Sequence, residues 1–255
     1  MKDKVVIVTG GSSGMGKYMA KKFADEGAKV VITGRDEERL QEAKSFIEKT
    51  ATGKVHTFSM DVRQVEGAEK MVEETLEIFG RIDHLVNNAA GNFIVNAEDL
   101  SPNGWKAVID IVLNGTFYCS QAVGKYWIEK DIQGSIVNMG ATYAWDAGAG
   151  VVHSAAAKAG VLSLTRTLAV EWGTKYGIRV NAIAPGPIER TGGAEKLMLS
   201  EEMAERTKKS VPLQRFGKPE EIAGLAYFLL SDEAAYINGE VVTMDGGQWL
   251  NPLPF

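Results

Sequence analysis

The sequence predicts an α/β fold, with one doubly wound domain built around a mostly parallel, seven-stranded sheet. Short apolar, β-branched runs alternate with helical segments along the chain, which is typical of strands buried on both faces of a parallel sheet. The first run, at 5–8, is followed at once by a glycine-rich turn. Met15, Met19 and Phe23 then recur at four-residue intervals, which is the period of a helix with one buried face.

The strands and helices are expected in strict alternation after that first unit. Further strands are predicted at 28–33, 55–60, 82–86, 135–139, 178–183 and 241–244, and helices at about 37–49, 65–79, 101–130, 153–172 and after Pro219. The long helical region is expected to kink near Asn114 and Gly115, because both are weak helix formers. A polar segment at about 190–215 is expected to cover a substrate.

Composition narrows the class of protein further. A chain of 255 residues that is 45% hydrophobic, with no linker or repeat, predicts a single domain over 1–255. The net charge of −5 gives no basic surface for nucleic acid. One cysteine, Cys119, excludes an internal disulfide, and no metal site is expected. No membrane span or signal segment is evident, so we expect a cytoplasmic protein without membrane association.

The glycines after the first strand predict a phosphate site. Gly10, Gly14 and Gly16 follow the pattern G-x3-G-x-G between a buried strand and a helix start. Backbone N–H groups and the dipole at a helix N-terminus favour an anion, and glycine lets a pyrophosphate approach the main chain. A glycine loop could merely turn the chain, but its place between strand and helix favours a dinucleotide.

The end of the second strand bears on the choice of cofactor. An acid there would hold the adenine-ribose hydroxyls of NAD, whereas an arginine suits the 2′-phosphate of NADP. The sequence reads Gly34-Arg35-Asp36, so Arg35 predicts NADPH. Asp36 could serve the ribose instead, and Arg35 could be a solvated surface charge.

Small and polar residues also follow the later strands. Because ligands in doubly wound folds sit beyond the carboxyl ends of the strands, these residues should converge on one crevice. They are residues 87–92, Tyr143 and Pro185.

With these residues in view, the chain resembles the short-chain dehydrogenase/reductase family over nearly its whole length. The motifs that carry the resemblance are 9–16 (TGGSSGMG), 87–91 (NNAAG), Asn114, Lys158, 185–186 (PG) and 245–247 (DGG). The residues expected to bind the cofactor are Gly10, Ser12, Ser13, Gly14, Met15, Gly16, Arg35, Asp61, Val62, Asn88, Ala89, Ala90, Lys158, Pro185, Gly186 and Ile188.

The chain departs from that family at its catalytic tyrosine. The usual pattern is Tyr-x-x-x-Lys, but Ser154 stands four residues before Lys158, and the position of the usual catalytic serine falls on Ala141. Ketone reduction needs a proton on oxygen, which a phenol of pKa about 10 can supply and a serine hydroxyl supplies poorly. Ordinary carbonyl reduction is therefore put in doubt.

A narrower resemblance, to the 2,4-dienoyl-CoA reductases of the family, accounts for this departure. It rests on residues 89–93, 110–116, 143–144, 154–160 and 184–188. It implies that NADPH delivers a hydride to a conjugated dienoyl-CoA thioester and that a dienolate forms. Tyr143 and Asn92 would then donate hydrogen bonds to the thioester oxygen, as an oxyanion hole does.

The same resemblance assigns roles to three more side chains. Lys158 should hold the nicotinamide ribose, Ser154 should help to orient it or the nicotinamide, and Asn114 would support Lys158 through backbone or water. Simpler explanations exist for several of them. Tyr143 could be a pocket wall, Asn92 a turn residue and Ser154 a helix N-cap.

Two other functions stay open at this point. One is a family reductase that acts on another activated alkene or on a carbonyl, with Tyr143 as the acid. The other is a non-catalytic NADP-binding sensor, although the presence of Lys158 speaks against it. The family usually forms tetramers, so the resemblance implies a homotetramer.

Overall fold

Seven parallel strands form one sheet in the computed structural model, which describes residues 1–192 and 200–251. Their order across the sheet is β3-β2-β1-β4-β5-β6-β7, and each neighbouring pair is parallel. They are β1 (Val5–Thr9), β2 (Lys29–Gly34), β3 (Val55–Ser59), β4 (His84–Asn87), β5 (Ser135–Met139), β6 (Arg179–Pro185) and β7 (Val241–Met244). The predicted fold class is confirmed.

Helices cover both faces of this sheet. They are α1 (Gly14–Asp25), α2 (Glu37–Glu48), α3 (Val65–Phe79), α4 (Pro102–Ile109), α5 (Gly115–Glu129), α6 (Val152–Tyr176), α7 (Glu201–Ser210) and α8 (Pro219–Leu230). Val6 and Val8 of β1 pack with α1, α2 and α8, whereas Ile7 packs with α3, α5 and α6 on the other face. Each central strand is therefore buried on both sides, which explains its continuous apolar sequence.

The strand order reverses beside β1. The chain runs from β1 outward to β3 and then returns to β4 on the other side of β1. In doubly wound sheets the crevice at such a reversal, beyond the carboxyl ends of the strands, is the usual ligand site.

The long helical region, predicted to break or kink near Asn114 and Gly115, is irregular just before Gly115. A π-helical turn, Asp110–Asn114, separates α4 from α5. Gly115 starts α5 against Val62, and a Cβ atom built on Gly115 would lie 2.8 Å from Val62 Cγ2. Glycine is thus required where the helix passes the end of the β3 segment.

The predicted covering segment is described only in part. Residues 193–199 lie outside the described residues. Glu201–Ser210 form α7, a helix that the sequence did not predict, and the Ser200 side chain caps it. No side chain of α7 is buried. Its last residue, Ser210, accepts a hydrogen bond from the Gln248 amide (2.8 Å) and so ties the helix to the turn after β7.

Within 1–192 and 200–251, none of the helices combines the length and apolar character that a membrane span requires. The same ranges contain no group of three or more His, Cys, Asp or Glu side chains arranged to hold a metal ion.

Candidate active site

The glycine loop joins β1 to α1 in a conformation suited to an anion. Gly10 has φ 64°, which disfavours other residues, and a Cβ atom on Gly16 would lie 2.4 Å from the Gly10 carbonyl oxygen. Ser13 precedes α1, but its side chain makes no capping hydrogen bond. The N–H groups of the first turn therefore remain available to a phosphate.

Asn88 fastens this loop to the end of β4. Its side-chain amide donates to the carbonyl oxygens of Thr9 and Gly10, both at 3.0 Å. The Thr9 hydroxyl oxygen in turn accepts the N–H groups of Asn88 (3.0 Å) and Ala89 (3.1 Å). The glycine loop and the segment after β4, about 80 residues apart in the sequence, thus lie side by side. Ala90 directly follows Ala89 in that segment.

Asp36 and Arg35, at the end of β2, differ in their local contacts. Asp36 caps α2, since its carboxylate accepts the N–H of Arg39 (3.1 Å) and pairs with the Arg39 guanidinium (3.6 Å). Arg35 is exposed and has no ion pair or hydrogen bond among the described residues. A Cβ atom on the neighbouring Gly34 would lie 3.3 Å from Ser12 Oγ, so Ser12 lies beside the same strand end.

Asp61 follows β3 near this corner. A hydrogen bond from Arg63 is the main cause that lowers the pKa of Asp61, and the charge of Arg35 lowers it further. The carboxylate is therefore ionised at neutral pH and already bonded to the Arg63 side chain (2.9 Å). The structure thus places Arg35 near the end of β3 as well as at the end of β2.

Tyr143 lies on a short 3-10 helix, Thr142–Ala144, directly after β5. Its hydroxyl lies 3.1 Å from Ser154 Oγ, and Ser154 is its only hydrogen-bond partner among the described residues. Burial raises the pKa of Tyr143, and the bond to Ser154 opposes this only partly. The phenol is therefore neutral at physiological pH and can donate a hydrogen bond.

Ser154 itself is not a helix cap. It is the third residue of α6, only 1% exposed, and the N-cap position is Val151. Ser154 Oγ can donate to the Tyr143 oxygen, which leaves the phenolic proton free for a third group. This pairing joins α6 to the loop after β5.

Lys158 lies one turn after Ser154 and is buried. Its ammonium group donates to the carbonyl oxygen of Met139, the last residue of β5, at 2.5 Å. Burial lowers the pKa of Lys158 to about 8. The group is thus held at the carboxyl end of the sheet, where a ribose would lie in a doubly wound fold.

Asn92 lies in the loop that follows β4. Its Oδ1 accepts the N–H of Phe93 (2.9 Å), so its Nδ2 group remains available to donate. The loop is joined to the Tyr143 region by a backbone bond from the Val95 N–H to the Gly150 carbonyl oxygen (2.9 Å). The structure therefore connects the segments that carry the two predicted oxyanion donors.

Asn114 ends the π-helical turn and bonds within it. Its amide donates to Asp110 Oδ1 (2.9 Å), and no hydrogen bond among the described residues joins it to Lys158. Val112, two residues earlier, is the residue that packs against Ala157 of α6. Support of Lys158 by Asn114 therefore stays a prediction.

The remaining predicted cofactor residues lie at the ends of β3 and β6. Gly186 packs directly on Asp245, since a Cβ atom on Gly186 would lie 2.6 Å from Asp245 Cβ. The Asp245 carboxylate holds the next turn by accepting the N–H groups of Gly247 (2.9 Å) and Trp249 (2.8 Å). Pro185 ends β6 and Ile188 follows it as a buried residue, whereas Val62 follows β3 and lies against Gly115.

An apolar rim flanks the Tyr143 loop. Trp145 contacts Trp249 edge to face, with ring centroids 5.9 Å apart. Both indoles are about 40% exposed, and Leu213 and Leu250 nearby are 63% and 69% exposed. This rim and the donors at Tyr143 and Asn92 would suit a ligand with one polar and one apolar end.

Sequence reasoning missed a buried polar network under the site. The Asn87 amide donates to Ser120 Oγ and to Asn138 Oδ1, and the Asn138 amide donates to Thr165 Oγ, all at 2.9 Å. It locks the ends of β4 and β5 to α5 and α6. The available signal was Asn138 inside an otherwise apolar strand, because a buried amide requires partners.

The chain is similar to known proteins over nearly its whole length. A family model described as "Enoyl-(Acyl carrier protein) reductase" matches residues 10–248. The chain is 69% identical, over the full length of both sequences, to the "Probable 2,4-dienoyl-CoA reductase [(2E)-enoyl-CoA-producing]" of Bacillus subtilis.

Solved structures are similar as well. A crystal structure of a short chain dehydrogenase from Bacillus anthracis is 70% identical, with a TM-score of 0.93, and covers 99% of this chain and 98% of its own. A crystal structure of a "putative 2-deoxy-d-gluconate 3-dehydrogenase" from Agrobacterium tumefaciens, with bound NADP, has a sequence 32% identical to this chain. Its TM-score is 0.89, and the match covers 98% of each chain. The chain belongs to the short-chain dehydrogenase/reductase family.

Proposed function

We propose that this protein reduces 2,4-dienoyl-CoA thioesters to enoyl-CoA with NADPH, as a step in the oxidation of unsaturated fatty acids. The observation that carries the proposal is the pair Tyr143 and Ser154, with hydroxyl groups 3.1 Å apart, where the family usually has a tyrosine before the lysine. The name of the Bacillus subtilis relative supports the substrate class.

The state of Tyr143 favours a hydrogen-bond donor over a proton donor. Its pKa is raised by burial, and no cation among the described residues contacts its hydroxyl. A ketone reductase needs an acid strong enough to protonate an alkoxide. A dienolate needs only neutral donors that stabilise negative charge on oxygen, and Tyr143 fits that need.

The proposed mechanism divides the work between two groups of side chains. Tyr143 and Asn92 donate to the thioester oxygen, where charge accumulates when a hydride reaches the far end of the conjugated system. Ser154 keeps the phenolic proton directed at the substrate by donating to the Tyr143 oxygen. The proton that completes the reaction goes to carbon later, from water.

The cofactor part of the site fits a phosphorylated dinucleotide. The first turn of α1 is free of side-chain caps, Arg35 is an exposed cation without a hydrogen bond or ion pair among the described residues, and the Lys158 ammonium lies at the end of β5. Bound NADPH would supply the hydride. The glycine loop would hold its pyrophosphate, Arg35 and Ser12 its 2′-phosphate, and Lys158 its nicotinamide ribose.

Substrate profiling tests the proposal directly. We expect the purified protein to consume NADPH with a 2,4-dienoyl-CoA thioester and not with a panel of ketones or with a saturated acyl-CoA. Turnover of ketones alone would favour a carbonyl reductase that uses Tyr143 as the acid. NADPH binding without turnover of any alkene or ketone would favour a sensor.

Cofactor preference gives a second test. Arg35→Ala should reduce the preference for NADPH over NADH by about 10- to 100-fold, because a charge-assisted arginine–phosphate contact is lost. The measurement is kcat/KM for both cofactors. Lys49→Ala, at the exposed C-terminal end of α2, is the matched control and should leave the ratio unchanged. Equal use of NADH and NADPH by the wild type would contradict the assignment.

The buried lysine predicts a pH dependence. The pKa of Lys158 is about 8, so its ammonium is lost above that pH, and the Kd for NADPH should rise by up to about tenfold per pH unit. The free energy of unfolding should instead increase as the pH rises. The unfolded chain binds this proton up to a pKa of about 10.4, so the Lys158 contribution to unfolding free energy increases between these two values.

A titration of NADPH binding against pH checks this. In Lys158→Met the Kd for NADPH should be higher than in the wild type at neutral pH, and it should no longer rise steeply above about pH 8. If the wild-type Kd for NADPH stayed flat to about pH 10, the ammonium would not be the group that binds the ribose.

We also propose a cytoplasmic homotetramer. The bacterial relative supports the location. The resemblance to a family that usually forms tetramers and the exposed Trp249 and Leu250 side chains support self-association. Light scattering of the purified protein measures the assembly, and a monomer at micromolar concentration would contradict it.

A further inference from the structure

His153 is a buried ring whose polar atoms the fold leaves without partners. It is the second residue of α6, is 0% exposed and directly precedes Ser154. Neither Nδ1 nor Nε2 has a hydrogen-bond partner among the described residues. Buried polar groups are normally paired, and an aliphatic side chain would fill the same space without that cost. The imidazole therefore needs another explanation.

Its distinctive contact is with Phe93. The two ring centroids lie 4.5 Å apart with an interplanar angle of 74°, which is an edge-to-face arrangement. Such pairs attract each other in an orientation-dependent way, because the polarised edge of one ring meets the electron-rich face of the other. Phe93 is 40% exposed, and a Cβ atom on Gly104 would lie 3.0 Å from its Cζ. The Phe93 ring is thus held between α4 and His153.

Phe93 in turn fixes Asn92. The Phe93 N–H donates to Asn92 Oδ1 at 2.9 Å, so the position of the Phe93 backbone determines which way the Asn92 amide points. Residues 88–96 contain no helix or strand, so regular hydrogen bonding does not hold this loop. Asn88 and Ala89 bond to Thr9 and Gly10 at the start of this loop, and beyond them Phe93 and the backbone bond from Val95 to Gly150 anchor it.

We propose that His153 is a positioning residue that acts through Phe93 to aim the Asn92 amide at the thioester oxygen. The proposal rests on the proposed function, since it requires Asn92 to be an oxyanion donor. His153 does not touch the substrate. Its ring anchors the Asn92 loop to the start of α6, next to the residue that holds Tyr143, and so fixes the spacing of the two donors.

A double-mutant cycle between His153 and Asn92 tests this. His153→Leu should lower kcat for the dienoyl thioester by about tenfold, because a misplaced donor loses most of its effect, with the Kd for NADPH unchanged. In an Asn92→Ala background the same substitution should change kcat by less than about twofold, because there is no donor left to misplace. His153→Phe keeps an aromatic ring at this position and should retain most of the wild-type kcat.

Controls separate this role from a general loss of packing. Val152→Leu, at the exposed neighbouring position of α6, should leave kcat unchanged. Thermal unfolding of every variant shows whether the fold is intact. If His153→Leu does not fold, Phe93→Leu, in the partly exposed loop, enters the same cycle with the same expected result.

Three outcomes would overturn the inference. They are equal losses of kcat from His153→Leu with and without Asn92, a loss of NADPH binding, and no loss of kcat in His153→Leu. The proposed function fails in a different way, through a wild type inactive on dienoyl thioesters or an Asn92→Ala variant with normal kcat.

Discussion

Tyr143→Phe is expected to lower kcat for a dienoyl-CoA thioester by about 10²- to 10³-fold, which corresponds to about 3 to 4 kcal/mol of transition-state stabilisation. The substitution removes one hydroxyl that is neutral, half-buried and bonded to Ser154, and it leaves the ring in place. Because negative charge reaches the thioester oxygen only in the transition state, kcat should fall more than KM rises. Steady-state kinetics with saturating NADPH measure both.

The companion variant Asn92→Ala should show a loss of the same order. In the proposed mechanism Tyr143 and Asn92 donate to one oxygen, so the double variant should lose less than the sum of the two single effects. Tyr176→Phe, at an exposed position, is the control for a phenol remote from the site. Near-normal turnover by Tyr143→Phe would remove the central claim, and another donor would then have to be found.

Lys158→Ala is expected to damage cofactor binding and turnover together, with a loss in kcat/KM of about 10²-fold or more. The variant removes a buried ammonium group that is fixed on the Met139 carbonyl oxygen at the end of β5. Without it, the nicotinamide ribose would lose a charged donor and the reacting carbon its position. NADPH titration and kcat/KM for the thioester measure the two effects.

Ser154→Ala should be milder, because in the proposed mechanism Ser154 orients the Tyr143 hydroxyl and does not donate a proton to the substrate. Lys175→Ala, in the last turn of α6, is the control for a lysine of the same helix and should behave as the wild type. Loss of turnover in Ser154→Ala with normal NADPH binding and turnover in Lys158→Ala would reverse the roles assigned here.

The sheet was predictable because its signals are local. Runs such as VVIVT and SIVNM are buried on both faces. The predicted bounds of α3 and β5 match the structure residue for residue. The glycine loop was predictable for a related reason. Its function requires a strand, a turn and a helix start that are contiguous in sequence.

The parts of the site that escaped prediction depend on contacts between distant segments. Two exceptions are local: the Asp36 carboxylate accepts the N–H of Arg39 at the start of α2, and the Asn114 amide donates to Asp110 one turn earlier. The Lys158 contact with Met139 involves a backbone carbonyl group, which every residue has. The burial of His153 against Phe93 joins positions 60 residues apart. Sequence spacing carries no signal for such pairs.

The contact between Tyr143 and Ser154 also constrains how such a site can evolve. A tyrosine at position 154 would extend through the space where the Tyr143 hydroxyl now lies, 3.1 Å from Ser154 Oγ. Ser154→Tyr alone therefore creates a collision, and removal of Tyr143 alone leaves no phenol at the site. The usual tyrosine arrangement of the family therefore requires a change at position 143 as well as at position 154.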